Sequence, residues 1–452
     1  MDLPAPPAPP SPPTPADIAV LILTHNGARH LPTCLIACLA LDGLAAPSAI
    51  VVADNGSTGG GLDDAMRAFP AITRLALGAN LGFAAGYDAL AESGASDRPW
   101  LLLLNDDTAI APDALTALCA ALRPGDVCAG ARLVDWAGTR IDFDGGAASW
   151  TGHGHALGHG RRIDAGSPRS PAAHRAPVRP AGGRAEGHGD GHGDGDPHGG
   201  GYVGPHGDAA AHPTLFACGG AMLVHRATFL ALGGFDGSYF MYYEDVDFGW
   251  RLTLAGYDVR HAPAAVVRHR GGGSAAAHPD ASRARWHARN ALANVVKNTA
   301  DVHVARILPA ALALEAVRRG APLDVVDAAA VPVDDRAAAP SMPLPLPAPD
   351  WPGWSHLTPL DLDWPALTAA RAAVQPLWAR RPEDVVARLG RPWAPVPATG
   401  EGWAALRRAA AVFGLEDVFG PIDAHTGLRG RVRRAVGRVG RLGRLGRLGR
   451  GG

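Results

Sequence analysis

Lysine is almost missing from this chain. Lys297 is the one lysine in 452 residues that carry 42 Lys and Arg together. Read from sequence, this is a composition bias without chemical content. Cysteine is scarce too: Cys34, Cys38, Cys119, Cys128 and Cys218 are odd in number and mostly sit among apolar neighbours. They read as buried free thiols of a reducing compartment, not as a disulfide framework. Cys34 and Cys38 stand four apart, but no second Cys pair or nearby His completes a zinc site. No run of about 18 uncharged apolar residues occurs, so no membrane-spanning helix is expected. The Pro-rich start has neither a basic nor an apolar stretch, so it does not read as a secretory signal. A net charge of −1 supplies no global field for nucleic acid. Neither GxGxxG nor GxxxxGK[ST] is present, which disfavours hydride transfer on a dinucleotide fold and P-loop hydrolysis.

What is present is an apolar centre with punctuated edges. Hydrophobic residues make up 47% of the chain, enough for a substantial core, while 58 Gly and 40 Pro cluster in a few segments. Residues 100–107, WLLLLNDD, hold five large apolar residues followed by Asn105, Asp106 and Asp107. So short a run reads as a strand buried on both faces. Residues 18–23, 49–53 and 72–77 read as three further strands, with helices at 28–41, at 62–69 and after Asn80. Strand, polar turn and helix recur, which predicts βαβ units and a mostly parallel α/β sheet.

Each strand ends in polar residues: Thr24 and Asn26, Asp54 and Asn55, Asn80, then Asn105, Asp106 and Asp107. In a parallel sheet these ends share one edge, where open α/β folds bind ligands. A lone Asp there is ordinarily a helix cap; four polar ends in succession argue for a site. The adjacent acids would share a cation.

Residues 239–254, YFMYYEDVDFGWRLTL, bring three acids together. Acids gather at helix N-termini, and Asp247 also stands four before Arg251, a favourable pair. Asp245 lies on the same helical face as Phe248 and Leu252 and is expected to be buried beside the cleft. That placement suits a general base, with Glu244 a close second. Residues 127–134, 140–143, 256–261 and 264–269 read as further strands, and in the apolar stretch 215–224 two glycines suggest close backbone approach or a bend. His269, at the last of these ends, is structural or a ligand on sequence alone.

The motifs THN, ADNGS, NLGFAAG, LLLLNDDT, ACGGAMLVHR, GGFDGSYFMYYEDVDFGWRL, VRH and ARN…KN occur in order between residues 16 and 299. Together they resemble family 2 glycosyltransferases, in particular the bacterial rhamnosyl- and galactofuranosyltransferase-like branch. The resemblance implies a GT-A α/β sandwich built on one nucleotide-binding sheet. It implies that Thr24, Asn26 and Asp54 hold the nucleoside, and that Asn80 and Gly82 line the donor site. Asp107, with Asp106 and Asn105, stands in for the DxD motif and holds Mg²⁺ or Mn²⁺ on the diphosphate, and His269 completes the metal site. Asp245 of the ED motif is the base. The donor is a nucleotide-diphosphate sugar. The acceptor is a glycan or lipid-linked hydroxyl in cell-surface polysaccharide synthesis, on the cytoplasmic side. One base implies inversion, since retention through a covalent intermediate would need a second carboxylate. Tyr87-Asp88 departs from the family's usual Asn, which implies an altered donor choice.

The expected organisation is a disordered leader at 1–16, a catalytic domain at 17–300, a helical region at 301–427 and a basic Arg/Gly tail at 428–452. Residues 152–212 hold nine of the 19 histidines and little apolar content. They read as a disordered insertion outside the active site, with weak transition-metal binding as the other reading. Residues 322–352 read as a linker, and Trp378 and Trp403 as packing anchors. The tail could touch anionic lipid, making a peripheral membrane contact. Two rival functions stand beside the enzyme: a sugar-nucleotide pyrophosphorylase, against which THNGAR lacks a Gly-rich basic turn, and a non-catalytic nucleotide-sugar-binding protein.

Overall fold

The computed structural model describes residues 7, 10–163, 210–271, 278–330, 344–391, 393–394, 400–419 and 421–422. The chain opens with β1 (Ile18–Thr24), α1 (Leu31–Leu39), β2 (Ile50–Asp54), α2 (Gly61–Met66), β3 (Thr73–Ala76), α3 (Gly82–Glu92) and β4 (Trp100–Asn105). Strands β3, β2, β1 and β4 lie side by side and run parallel. Ile18, Val20 and Ile22 of β1 and Trp100, Leu102 and Leu104 of β4 enter one apolar cluster. Ala19, Leu21, Leu101 and Leu103 enter a second, on the other face. Side chains alternate faces along a strand, so an unbroken apolar run can only be satisfied where both faces are covered. That is why the WLLLL stretch sits in the middle of the sheet.

The chain continues through β5 (Thr108–Ile110), α4 (Ala114–Ala121), β6 (Cys128–Asp135), β7 (Ile141–Phe143), β8 (Gly146–Ala148) and β9 (Gly154–Ala156). Then come β10 (His212–Thr214), β11 (Ala221–His225), α5 (Arg226–Ala231), α6 (Glu244–Leu254), β12 (Val259–His269), α7 (Asp280–Asn298) and α8 (Asp301–Arg318). The large sheet runs β10-β12-β6-β11-β4-β1-β2-β3, with β5 on β12 and β7 on β6. Strand β11 is antiparallel to both its neighbours, and β12 is parallel to β6. The mixed α/β fold expected from the sequence is the fold observed.

Two local expectations change, while the bend expected at the two glycines of 215–224 is present: the chain turns at Gly219 and Gly220, which pack against Phe83 and Asn105, and enters β11. The two strands expected at 256–261 and 264–269 are one strand, β12, with a register shift between Ala262 and Val266. Pro263 lies inside that shift, where a residue without an N–H is tolerated. The insertion expected to be disordered over 152–212 is ordered at 152–163 and 210–212. Gly152, at φ +81°, lies so close under α7 that a Cβ would fall 1.9 Å from the Ala291 carbonyl oxygen. The remainder of that insertion, the stretch 331–343 of the linker and the basic tail lie outside the described residues.

The C-terminal region forms α9 (Val325–Ala328), α10 (Trp354–Leu357), α11 (Trp364–Val374), α12 (Pro382–Leu389), α13 (Gly400–Val412) and α14 (Leu415–Phe419). Its apolar residues join the cluster that already contains β1 and β4, so one core runs through both parts. Trp351 and Trp393 of this region are fully packed, as is Trp150 of the catalytic region. Trp378 and Trp403, the anchors expected from sequence, are half-buried. Trp150 stacks on Phe419 at 6.3 Å and meets Trp393 edge-on at 6.1 Å. Within the expected linker, Val325 and Val326 are buried and the Trp351 indole donates to the Val325 carbonyl at 2.9 Å. Among the described residues, no helix is long and apolar enough to cross a membrane.

Candidate active site

Strand register sets the site. Thr24 is paired with Asp54, Leu23 with Asn105 and Asp54 with Ala76, so three polar strand ends lie abreast. After Asn105 the chain turns through Asp106 and Asp107 into β5, whose Thr108 is paired with His269 of β12. This brings His269 Nε2 to 3.4 Å from Asp107 Oδ1. Burial alone would lower the His269 pKa, but Asp107 and Asp142 outweigh it and hold the imidazole protonated.

The two neighbouring aspartates do different things. Asp106 turns inward and accepts the Thr24 hydroxyl at 2.5 Å. Burial, and next the charge of Asp107, push its carboxyl up to about 7. A Cβ on Gly27 would lie 1.8 Å from Asp106 Oδ2, so the THNG turn needs its glycine there. Thr24 is 1% exposed. Its hydroxyl is engaged with Asp106.

The remaining residues at these strand ends form a laced rim. Asn26 adopts φ 57°, a conformation Asn tolerates better than most residues, and its side-chain oxygen accepts from Thr58 N at 2.8 Å. Asp54 accepts from Ser57 N at 2.9 Å and faces Arg74 at 3.4 Å. Asn55 is 3% exposed and joins the two loops: it donates to the Gly82 carbonyl at 2.9 Å and to Asn80 Oδ1 at 3.3 Å, and accepts from Leu81 N at 2.9 Å. Asn55 was visible in the Asp54-Asn55 turn but not singled out as a site residue. Gly82, at φ +79°, packs against Phe240, where a Cβ would meet the ring at 2.5 Å.

Asp245 stands at the start of α6 and accepts from Gly219 N at 3.0 Å. The next residue, Gly220, accepts from Asn105 N at 3.1 Å. The Gly219-Gly220 pair thus links the ED motif to the end of β4. Phe240, Tyr242 and Tyr243, immediately before α6, all have positive φ, at 61°, 70° and 67°. Such strain persists only where neighbours enforce it. Here Asn290 of α7 donates to the carbonyls of Tyr239, Met241 and Tyr242 at 3.1, 2.9 and 2.7 Å. Glu244 is 4% exposed, and its Oε2 has no hydrogen-bond partner among the described residues. Burial, and next the Asp245 carboxylate, push the Glu244 carboxyl well above its usual range. Asp247 pairs with Arg251 at 2.8 Å, as the spacing suggested.

Tyr87 and Asp88 are engaged away from this rim. The Tyr87 hydroxyl donates to the Leu104 carbonyl at 2.9 Å, and Asp88 accepts from Phe235 N at 2.8 Å. Burial is the largest influence on Asp88 and pushes its carboxyl from 3.8 up to about 7. A carboxyl whose folded pKa is raised contributes stability at low pH that is lost as pH rises through that pKa. Asp88→Asn mimics the neutral acid and keeps an acceptor for Phe235. Its stability advantage over the native chain is expected to open between about pH 4 and pH 7 and to stay constant above. The ceiling is about 4 kcal/mol. Thermal melts of both proteins from pH 5 to pH 8.5 check this; parallel curves would refute it.

A family model described as Glycosyl transferase family 2 matches residues 19–152. An N-acetylglucosaminyl-diphospho-decaprenol L-rhamnosyltransferase of Mycobacterium tuberculosis is 31% identical over 277 residues, covering 60% of this chain and 81% of the relative. Rhamnosyltransferase WbbL of Escherichia coli is 36% identical over 80 residues, 17% of this chain and 28% of the relative. The mannosyltransferase PcManGT from Pyrobaculum calidifontis, solved with GDP-Man and Mn²⁺, superposes with a TM-score of 0.38 at 14% identity, covering 91% of this chain and 90% of that one. The chain belongs to glycosyltransferase family 2, with rhamnosyltransferases among its relatives. It is therefore an enzyme of sugar transfer, and neither rival function is carried further.

Proposed function

We propose that this enzyme transfers L-rhamnose, with inversion, from a nucleoside-diphosphate donor to a hydroxyl of a lipid-linked glycan, with the help of a divalent cation. The observation that carries the reading is the Gly219-Gly220 link, which ties the carboxylate of Asp245 to the strand end bearing Asp107. The sugar and the acceptor class rest on the name of the M. tuberculosis relative.

Asp107 Oδ1 and His269 Nε2, 3.4 Å apart, are close enough to reach one ion at bond lengths of about 2.0–2.2 Å. Among the described residues no three or more His, Cys, Asp or Glu side chains form a closed metal cage. A Mg²⁺-type site made of few protein ligands and completed by substrate phosphates has that character. A cation there would neutralise charge on the departing diphosphate. Asp106, tied to Thr24, supports the turn that presents Asp107. Asn26, Asp54 and Asn80 form the rim where nucleoside and diphosphate rest. Asp245 accepts the proton of the attacking hydroxyl, while burial and the neighbouring carboxylate push the Glu244 carboxyl well above its usual range and make it the weaker candidate. A lipid-linked acceptor would be met at the membrane surface, on the cytoplasmic side.

The test is a screen of the full chain against nucleoside-diphosphate sugars with N-acetylglucosaminyl-diphospho-polyprenol as acceptor, with and without Mn²⁺. The rhamnosyl donor should be turned over, EDTA should abolish turnover, and the product linkage should have the opposite anomeric configuration. If no donor binds or reacts more readily with metal, the reading fails.

A further inference from the structure

One side chain near the cleft belongs to none of the motifs. Asp142 is the central residue of the three-residue strand β7, between buried Ile141 and Phe143. Its Oδ2 accepts from His269 Nδ1 at 2.7 Å, the nitrogen opposite the one that faces Asp107. On its other side stands His159, whose Nδ1 donates to the Asp142 carbonyl at 3.0 Å and lies 3.4 Å from Asp142 Oδ1. His159 sits in the first turn of the Gly/His-rich insertion. The four residues form a row, Asp107, His269, Asp142, His159, that runs from the cleft into the insertion.

The row is anchored below. Asp144, two residues on, receives Arg132 Nε at 2.7 Å, His261 Nε2 at 2.8 Å and Arg161 Nη2 at 2.9 Å. Asp144 N also donates to the Leu157 carbonyl at 2.9 Å, and Ile141 N to that of Arg161. These bonds fix the β7 backbone against the start of the insertion, so Asp142 has a defined place.

An imidazole has two nitrogens, and the partner of one decides what the other can do. With Nδ1–H held by Asp142, Nε2 is the nitrogen turned toward Asp107, and a cation bound there would take the place of its proton. Carboxylates in this position orient and strengthen histidine ligands. We propose that Asp142 is a positioning residue for the cation-binding side of the cleft, acting through His269, and that His159 steadies it from the insertion. The inference rests on the reading that Asp107 and His269 face the cation.

The test is Mn²⁺ affinity of the full chain, measured by electron paramagnetic resonance with UDP and separately with dTDP present. Asp142→Ala is expected to weaken Mn²⁺ about 10- to 100-fold. Asp142→Asn, which keeps an acceptor, should recover much of that loss, and it also serves if the alanine variant does not fold. In a His269→Ala background, Asp142→Ala should change affinity by less than about 2-fold, because the two losses are one interaction. Thermal melts run alongside should show the Asn variant within a few degrees of the native chain. Equal losses with and without His269, or unchanged affinity in Asp142→Ala, would overturn the proposal. Native protein that binds no Mn²⁺ with either nucleotide would instead sink the metal reading, and this inference with it.

Discussion

Asp245→Asn is expected to lower the rate of sugar transfer by about 10²–10⁴-fold while leaving donor affinity within a factor of about three. Asn has the same size and can still accept from Gly219 N, so the 3.0 Å link to the β11 side of the cleft survives. What disappears is the ability to take a proton from the acceptor hydroxyl. Glu244→Gln is the internal control. Glu244 is buried beside Asp245, which with burial pushes its carboxyl well above the usual range and favours the neutral form, so an amide there should cost less than about fivefold. Transfer rates and equilibrium donor binding, measured on both variants, separate the two acids. Asp245→Asn at native rate, or Glu244→Gln as the more damaged variant, would remove Asp245 as the base.

The parts of this site that could be read from sequence are those whose signal is local. A continuous apolar run ending in acids predicts a central strand with a polar end, and β4 is that strand. Asp245 could be placed because its helix neighbours Phe248 and Leu252 mark the buried face. Asp142 had no such signal: it stands alone in a three-residue strand, and its partner His269 is 127 residues away. His159 was hidden by composition. A segment of Gly and His promises too little apolar burial to offset ordering entropy, but its first turn is ordered by charge and backbone pairing around Asp144. The division of labour between Asp106 and Asp107 was likewise out of reach, since a DD pair gives no hint that one carboxylate turns inward to Thr24. The C-terminal helices, and their packing on the catalytic region, were legible from their apolar faces, but the contacts of Trp150 of the catalytic region with Phe419 and Trp393 were not.

Lys297→Met is expected to be the most destabilising single change among those considered, by about 3–5 kcal/mol. The lone lysine, which composition alone left without meaning, is 2% exposed. Its ammonium lies 2.8 Å from Asp236 and 2.9 Å from Asp247, and 5.0 Å from the Tyr239 ring centre. It therefore joins the GGFDG turn, the strained segment before α6 and the buried acid of α6 itself. Asp247 keeps Arg251 and Asn298 when the lysine is removed, but Asp236 loses its only described ion-pair partner. In the native chain burial would raise the Asp236 pKa, and Lys297 outweighs it, holding the carboxyl well below its usual range. A depressed pKa contributes stability that is present above the unfolded value and lost only as pH falls through the folded one. Without Lys297 the sign reverses: burial raises the pKa, and the variant recovers stability as falling pH protonates Asp236. The gap between native and Lys297→Met should thus be widest near pH 7 and narrow toward about pH 4.5. Denaturant unfolding at several pH values measures it. A gap below about 1 kcal/mol at pH 7, or one that widens on acidification, would show that the pair is not holding the segment that presents Asp245.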